Sequence, residues 1–89
     1  MKVIKITAIW CSACLIMNKR WKEIEKEYNI DTISYDVDFD EDKIKKYDIG
    51  DRLPVFLIVD DDKQIKKLVG EHSIEELKEF IKELVDWKD

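Results

Sequence analysis

The chain has 89 residues, of which 42% are charged and 45% hydrophobic, and its formal net charge at pH 7 is -5. This length and composition are typical of one folded domain, residues 1–89, and exclude a disordered or fibrous chain. The acidic balance argues against nucleic acid or an anionic membrane surface as a partner, because both require clustered lysine and arginine.

The first residues, MKVIKITAIWC, have the appearance of a secretory leader, but Lys5 interrupts the apolar run and no small-residue cleavage site follows. The sequence also contains no apolar stretch near the ~18 residues that a membrane span needs. We therefore expect a cytoplasmic protein, and a monomer. In that reducing compartment a lone cysteine pair is more often catalytic or metal-binding than a structural disulfide.

The first half of the chain predicts a strand, a long helix and a second strand. Residues 2–9 are rich in β-branched side chains, which favours a strand. Residues 12–28 place apolar side chains at helical spacing between lysines and glutamates, at Met17, Trp21, Ile24 and Tyr28. Residues 31–38 alternate apolar and polar side chains and predict a strand of period two.

The second half predicts a short helix, a hairpin and a closing helix. Asp40 is positioned to cap a short helix that carries Ile44 and Tyr47. Residues 55–59 form a continuous apolar run, typical of a strand buried on both faces, and residues 60–62 predict a turn into a partner strand at 64–69. Ser73 and Glu76 predict a capping box, which opens an amphipathic helix. The apolar face of that helix would comprise Ile74, Leu77, Phe80, Ile81 and Leu84.

The two cysteines of the chain, Cys11 and Cys14, lie at the junction between the first strand and the first helix. Cys11 falls at the first turn, where unpaired backbone N–H groups and the helix dipole favour a thiolate. Cys14 follows one turn later on the same face, close enough to form a disulfide with Cys11. The spacing therefore predicts an exposed sulfur that attacks and an inner sulfur that resolves the mixed disulfide.

Three segments in order resemble the thioredoxin superfamily: WCSAC at 10–14, KKYDIGDRLPVFLIV at 45–59 and KKLVGEHSIEELKEFIKEL at 66–84. The chain resembles a minimal version without thioredoxin's first strand and helix, an outline shared with glutaredoxin. The resemblance implies an α/β, thioredoxin-like fold with the order βαβαββα. Its sheet would be four-stranded and mixed, with helices on both faces.

The resemblance also implies roles for individual residues. Cys11 would be the nucleophile, Cys14 the resolving thiol, and Pro54 a cis-proline that faces the disulfide. The backbone of Leu53 would pair with an extended client segment, as a short added strand. Trp10, Leu15 and Ile16 would supply an apolar rim, although we expect one of Leu15 and Ile16 to cover the core instead.

The function implied by the resemblance is a thiol–disulfide oxidoreductase that reduces protein disulfides without a cofactor. Its electron donor would be either a dedicated reductase or glutathione, and the second possibility describes a glutaredoxin-like, glutathione-linked enzyme. A module that uses the same thiols to deliver a metal stays open as a further alternative. Measurement of bound metal beside disulfide reduction would separate these classes.

The chain departs from the thioredoxin pattern at several positions. Ser12 and Ala13 stand between the cysteines in place of glycine and proline, so the reduction potential cannot be taken from the family. Lys5 stands where the family has a buried acidic residue. If Lys5 lies beneath the cysteines, its ammonium would favour the thiolate form of the pair. The opposite strand register, which would turn Lys5 outward, is equally open.

A metal site is the main competing interpretation of the cysteine pair. A structural zinc ion needs four ligands, and His72 is the one histidine available; we interpret it as a solvated residue before the last helix. A copper-chaperone domain also places CxxC after its first strand, but it ends in a strand rather than a helix. We therefore expect no metal site.

Overall fold

A computed structural model of the protein describes residues 2–61, 63–82 and 84. Its elements are β1 (Lys2–Thr7), α1 (Ser12–Tyr28), β2 (Thr32–Asp36), α2 (Glu41–Ile44), β3 (Val55–Asp60), β4 (Lys63–Val69) and α3 (Ile74–Phe80). The predicted order βαβαββα is confirmed.

The strands form one four-stranded sheet in the order β2-β1-β3-β4. β1 is parallel to β2, while β3 is antiparallel to both β1 and β4, so the sheet is mixed, as predicted. β3 lies in its interior, and its residues 55–59 are fully buried, as their continuous apolar run predicts.

Helices pack on both faces of the sheet, which also agrees with the prediction. On one face, α1 and α3 cover alternate residues of β1 and β3. This core is formed by Val3, Met17, Trp21, Ile24, Ile30, Phe56, Ile58, Leu77, Phe80, Ile81 and Leu84. On the other face, α2 and the turn after it cover the remaining residues, with a core of Ile4, Ile6, Ile44, Tyr47, Val55, Leu57 and Val59. The alternation along β1 therefore decides which of its side chains face α1.

The boundaries of the first two strands differ from the prediction. β1 ends at Thr7 rather than at residue 9, because the chain turns there and the Cys11 N–H donates to the Ala8 carbonyl at 3.2 Å. β2 ends at Asp36 rather than at residue 38. The carboxylate of Asp36 accepts the backbone N–H of Asp38 at 2.7 Å, which closes a turn after the strand.

The remaining elements lie close to their predicted positions, except that α2 ends at Ile44, so Tyr47 lies beyond it, and α3 ends at Phe80 with Ile81 as its C-cap. Asp40 precedes α2, but its side chain accepts the Asp36 N–H at 2.9 Å and makes no capping bond to the helix. The hairpin between β3 and β4 forms, with Asp61 in the left-handed region, and the predicted turn residue Asp62 lies outside the described residues. The capping box of Ser73 and Glu76 at the start of α3 is confirmed.

Candidate active site

Cys11 occupies the N-cap of α1, and its extended backbone (φ -92°, ψ 111°) places the sulfur over the first turn of the helix. The backbone N–H of Cys14 donates to the Cys11 Sγ at 3.3 Å. This hydrogen bond gives a partner to an N–H that would otherwise be unpaired at the helix N-terminus. It also places the sulfur at the positive end of the helix dipole. Cys11 is only 9% exposed, so the expectation of an exposed attacking sulfur is wrong: Cys11 belongs to a buried cluster against which Leu53 and Val37 pack.

Cys14 lies one turn further along α1 and is only 1% exposed. Burial raises the pKa of its thiol to about 12, and a hydrogen bond with Cys11 adds to that increase. A hydrogen bond with the Ala8 backbone and the positive charge of Lys5 lower the pKa of Cys14 by smaller amounts. Both thiols are free. Both cysteines are thus buried, Cys14 more completely, and the raised pKa of Cys14 keeps its thiol protonated.

Leu53 lies beside the cysteines and is followed by Pro54. The Leu53–Pro54 peptide bond is cis, as the resemblance implies, and the Pro54 carbonyl accepts the Gly70 N–H at 2.9 Å. The side chain of Leu53 packs against the buried cluster of Ala8, Cys11 and Cys14. Among residues 2–61, 63–82 and 84, the backbone N–H and C=O of Leu53 have no hydrogen-bond partner.

Trp10 is an exposed side chain held in a fixed position. Its indole Nε1–H donates to the Asp38 Oδ2 at 2.9 Å, which joins the turn before α1 to the turn after β2. Asp38 was not predicted as a site residue. The proximity of Asp38 to Trp10 could have been predicted from the strand order. β1 and β2 are parallel neighbours, so the segments that follow them emerge at the same edge of the sheet.

The apolar residues around Cys11 are more exposed than the sequence analysis expected. Leu15 and Ile16 are both exposed on the first turns of α1, so the expectation that one of them covers the core is wrong. Both follow Cys14, which occupies the inward-facing position of that turn. Ile9, which the sequence analysis did not select, is also exposed. We call Ile9, Trp10, Leu15 and Ile16 the apolar rim.

A groove of about 380 Å³ opens on the α2 side of Trp10. Its lining includes Trp10, Val37, Ile44, Lys45, Tyr47 and Leu53. The sequence analysis did not predict this groove, because its walls come from four separate segments. It lies directly beside the cluster that contains both cysteines, which Leu53 and Val37 also contact.

Lys5 lies on the face of the sheet that α1 covers, so the register that turns it outward is not the one observed. It shares that face with Val3, which belongs to the core beneath α1. Burial lowers the pKa of Lys5, with opposing contributions from nearby charges.

No group of three or more histidine, cysteine or acidic side chains able to hold a metal ion occurs in the described part of the chain. None of the described helices is long and apolar enough to cross a membrane.

The sheet order, the flanking helices, and a cysteine pair at the N-terminus of α1 beside a cis-proline together define the thioredoxin class of folds. Comparison with known proteins agrees: the thioredoxin family model matches residues 1–83. The chain belongs to the thioredoxin family.

Individual relatives give the extent of the similarity. Thioredoxin H5 of Oryza sativa subsp. japonica is 32% identical over 83 residues, which are 92% of this chain and 60% of that protein. The chain thus spans about three fifths of the length of this curated relative. The crystal structure of reduced Schistosoma mansoni thioredoxin pre-protein superimposes with a TM-score of 0.79 at 28% identity, over 91% of this chain and 75% of that one. Oxidised mitochondrial thioredoxin 3 of Saccharomyces cerevisiae gives 0.79 at 27% identity, over 91% and 76%.

Proposed function

We propose that this protein reduces disulfide bonds in other proteins through a dithiol–disulfide cycle of Cys11 and Cys14. The observation that supports this function most strongly is the inequality of the two thiols. Cys11 lies at the N-cap of α1 and keeps 9% of its surface accessible, whereas Cys14 is 1% exposed and the pKa of its thiol is raised to about 12. A dithiol reductase needs one sulfur that attacks the client disulfide and a second, neighbouring sulfur that resolves the mixed disulfide.

The cycle has two exchange steps. The Cys11 thiolate attacks one sulfur of the client disulfide, forms a mixed disulfide, and releases the other client sulfur as a thiolate. Cys14 then loses its proton and attacks the Cys11 sulfur, which releases the second client sulfur and leaves a Cys11–Cys14 disulfide. Two electrons pass from the cysteine pair to the client, and the two released thiolates take up protons. A reductase then returns the pair to the dithiol.

Docking of the client would use the groups around Cys11. An extended client segment would pair with the free backbone N–H and C=O of Leu53, next to Pro54. The apolar rim would provide contact area without sequence specificity. This arrangement fits many protein clients rather than a single one.

The test is a turbidity assay of insulin reduction by dithiothreitol, in which precipitation of the freed chains reports the reaction. We expect the protein to accelerate precipitation and Cys11→Ser to abolish the acceleration. Cys14→Ser should accumulate a mixed disulfide with the client that mass spectrometry detects. A protein that does not accelerate the reaction, with both thiols free, would contradict the proposed function.

A glutathione-linked oxidoreductase is a second candidate, and the groove beside Trp10 favours it. Its volume of about 380 Å³ lies within the range of small-ligand sites; its lining carries one cation, Lys45, together with the carboxylates of Glu41 and Asp51. Equilibration of the cysteine pair in defined glutathione buffers distinguishes the two functions. A reduction potential near about -270 mV would favour the protein reductase, and one of about -200 to -230 mV the glutathione-linked enzyme.

A further inference from the structure

The inner thiol presents a chemical requirement that the first exchange step does not. Cys14 must lose its proton before it can attack the mixed disulfide on Cys11. Burial works against this loss, since it raises the pKa of Cys14 to about 12. A positive charge in the interior near Cys14 would therefore promote the second step.

Lys5 is placed to supply that charge. In the sheet, its Cα is paired with Phe56 of β3 and with Ser34 of β2. Phe56 is fully buried against Trp21 of α1, whereas Ser34 is exposed. Lys5 is therefore half-buried on the α1 face, with its strand leading directly to the turn before Cys11.

The charged and titratable groups that face Lys5 among the described residues come from α1. They are Glu25, Lys22 and Cys14, while its strand partners Ser34 and Phe56 carry no charge. Burial lowers the pKa of Lys5, Glu25 raises it, and Lys22 lowers it further. A Cys14 thiolate raises the pKa of Lys5, and the Lys5 ammonium in turn lowers the pKa of Cys14.

The helix surface between these groups is polar as well. Asn18 follows Cys14 by one turn and precedes Lys22 by one turn, so all three lie on the same face of α1. The Asn18 Oδ1 is buried and has no hydrogen-bond partner among the described residues. A buried acceptor of this kind is compatible with a neighbouring ammonium and unfavourable beside apolar side chains.

We propose that Lys5 acts through Cys14, as a fixed positive charge beneath the inner thiol that stabilises its thiolate in the resolving step. This inference rests on the proposed reductase function. In that step the Cys14 proton passes to solvent, the Cys14 sulfur bonds to the Cys11 sulfur, and the bond between Cys11 and the client breaks. The client sulfur leaves as a thiolate and takes up a proton from solvent.

The experiment measures the thiolate of Cys14 directly, without a client. In the Cys11→Ser protein, Cys14 is the one cysteine left, and serine is itself a favourable N-cap for α1. The ultraviolet absorbance of the thiolate and the rate of iodoacetamide alkylation are followed against pH. Lys5→Met removes the charge at similar length, Lys5→Arg keeps it, and Lys22→Met is the matched control on α1.

We expect Lys5→Met to raise the pKa of Cys14 by about 0.5 pH unit or more, so that alkylation at pH 8 slows about threefold. Lys5→Arg should restore the alkylation rate, and Lys22→Met should leave the pKa of Cys14 unchanged. Circular dichroism of each variant checks that it is folded. An unchanged pKa in folded Lys5→Met, or an equal rise in Lys5→Met and Lys22→Met, would overturn the inference.

This result is separate from the outcome for the proposed function. If the unmodified protein fails to reduce insulin but Lys5→Met still raises the pKa of Cys14, the reductase proposal fails and the electrostatic effect stands. If insulin is reduced and the pKa of Cys14 does not respond to Lys5→Met, the reductase proposal stands and Lys5 has no part in the resolving step.

Discussion

The two thiols differ because they occupy different positions in the same turn of α1. The sequence was sufficient to place Cys11 at the helix terminus and Cys14 one turn later, because the change from strand to helical period falls between them. It also predicted Cys14 as the inner sulfur, but not the near-complete burial of both cysteines, to which Leu53 and Val37 contribute from distant parts of the chain. The chemical inequality therefore arises from tertiary contacts added to a local motif.

The first prediction is that iodoacetamide at neutral pH labels Cys11 at least about tenfold faster than Cys14. Only the thiolate reacts; the pKa of about 12 keeps Cys14 largely protonated, and its burial slows the approach of the reagent. Peptide mass spectrometry after short exposures measures both rates. In guanidinium chloride the difference should disappear, because unfolding removes the burial. Equal rates in the folded protein would refute the assignment of nucleophile and resolving thiol.

His72 is the residue whose environment departs most from the sequence interpretation, since it is half-buried and doubly hydrogen-bonded rather than solvated. Its Nε2 lies 2.8 Å from the Val69 carbonyl and its Nδ1 lies 3.1 Å from the Glu76 carboxylate. Both partners are acceptors, so the imidazolium form can donate to both and the neutral ring to only one. The hydrogen bond with Glu76 accordingly raises the pKa of His72.

The second prediction concerns stability as a function of pH. Because the pKa of His72 is higher in the folded than in the unfolded chain, the imidazolium stabilises the fold. This contribution is complete below the ordinary value of 6.5 and is lost as pH rises through the folded pKa. We expect thermal unfolding midpoints to fall, as pH rises above the ordinary His value of 6.5, by more in the unmodified protein than in His72→Gln. Identical pH profiles for the two proteins would exclude the linkage.

At the scale of elements, hydrophobic periodicity was a reliable guide where a segment has one strong pattern. The limits of α1, Ser12–Tyr28, were predicted without error, and Asn29 ends the helix with a left-handed φ of 52°. The ends of β1 and β2 were less predictable, because side-chain bonds such as that of Asp36 compete with the strand. Whether such a side-chain bond replaces the strand depends on where polar side chains lie relative to the backbone. Hydrophobic periodicity does not report the positions of these polar groups.

The third prediction tests the contact that joins α1 to β2. Trp21 is fully buried, its ring lies 4.8 Å from that of Phe56, and its Nε1–H donates to the Thr32 Oγ1 at 2.8 Å. Thr32→Val keeps the shape of the side chain but leaves the indole N–H without its acceptor. We expect a loss of about 1 to 3 kcal/mol in the free energy of unfolding, measured in urea. Thr32→Ser keeps the hydroxyl and should lose less; an equal loss would show that the hydrogen bond is not the cause.

At the scale of the whole molecule, the site combines segments that are far apart in sequence. The motif residues Cys11, Cys14 and Pro54 could be recognised in the sequence, because each has a distinctive local signature. The hydrogen bond from Trp10 to Asp38 and the groove beside it have no such signature, since they depend on how the turns after β1 and β2 approach each other. The sequence therefore predicted the reactive residues, but not the shape of the protein surface that surrounds them.

That surface leads to the last prediction, which concerns client docking. Ile9 and Leu15 of the apolar rim are 76% and 64% exposed and lie on either side of Cys11 in sequence, where a docked client would cover them. We expect Ile9→Ser and Leu15→Ser each to raise the KM for insulin about threefold to fivefold, which corresponds to ~1 kcal/mol of binding.

Alkylation of Cys11 by iodoacetamide should be unchanged in these variants, because the small reagent does not use the rim. Ile65→Ser is the matched control: Ile65 is also an exposed isoleucine, at 46%, but it lies on β4 at the edge of the sheet. It should alter neither the KM nor the alkylation rate. If Ile65→Ser weakens insulin reduction as much as Leu15→Ser does, general loss of apolar surface explains the effect, and the rim is not where clients dock.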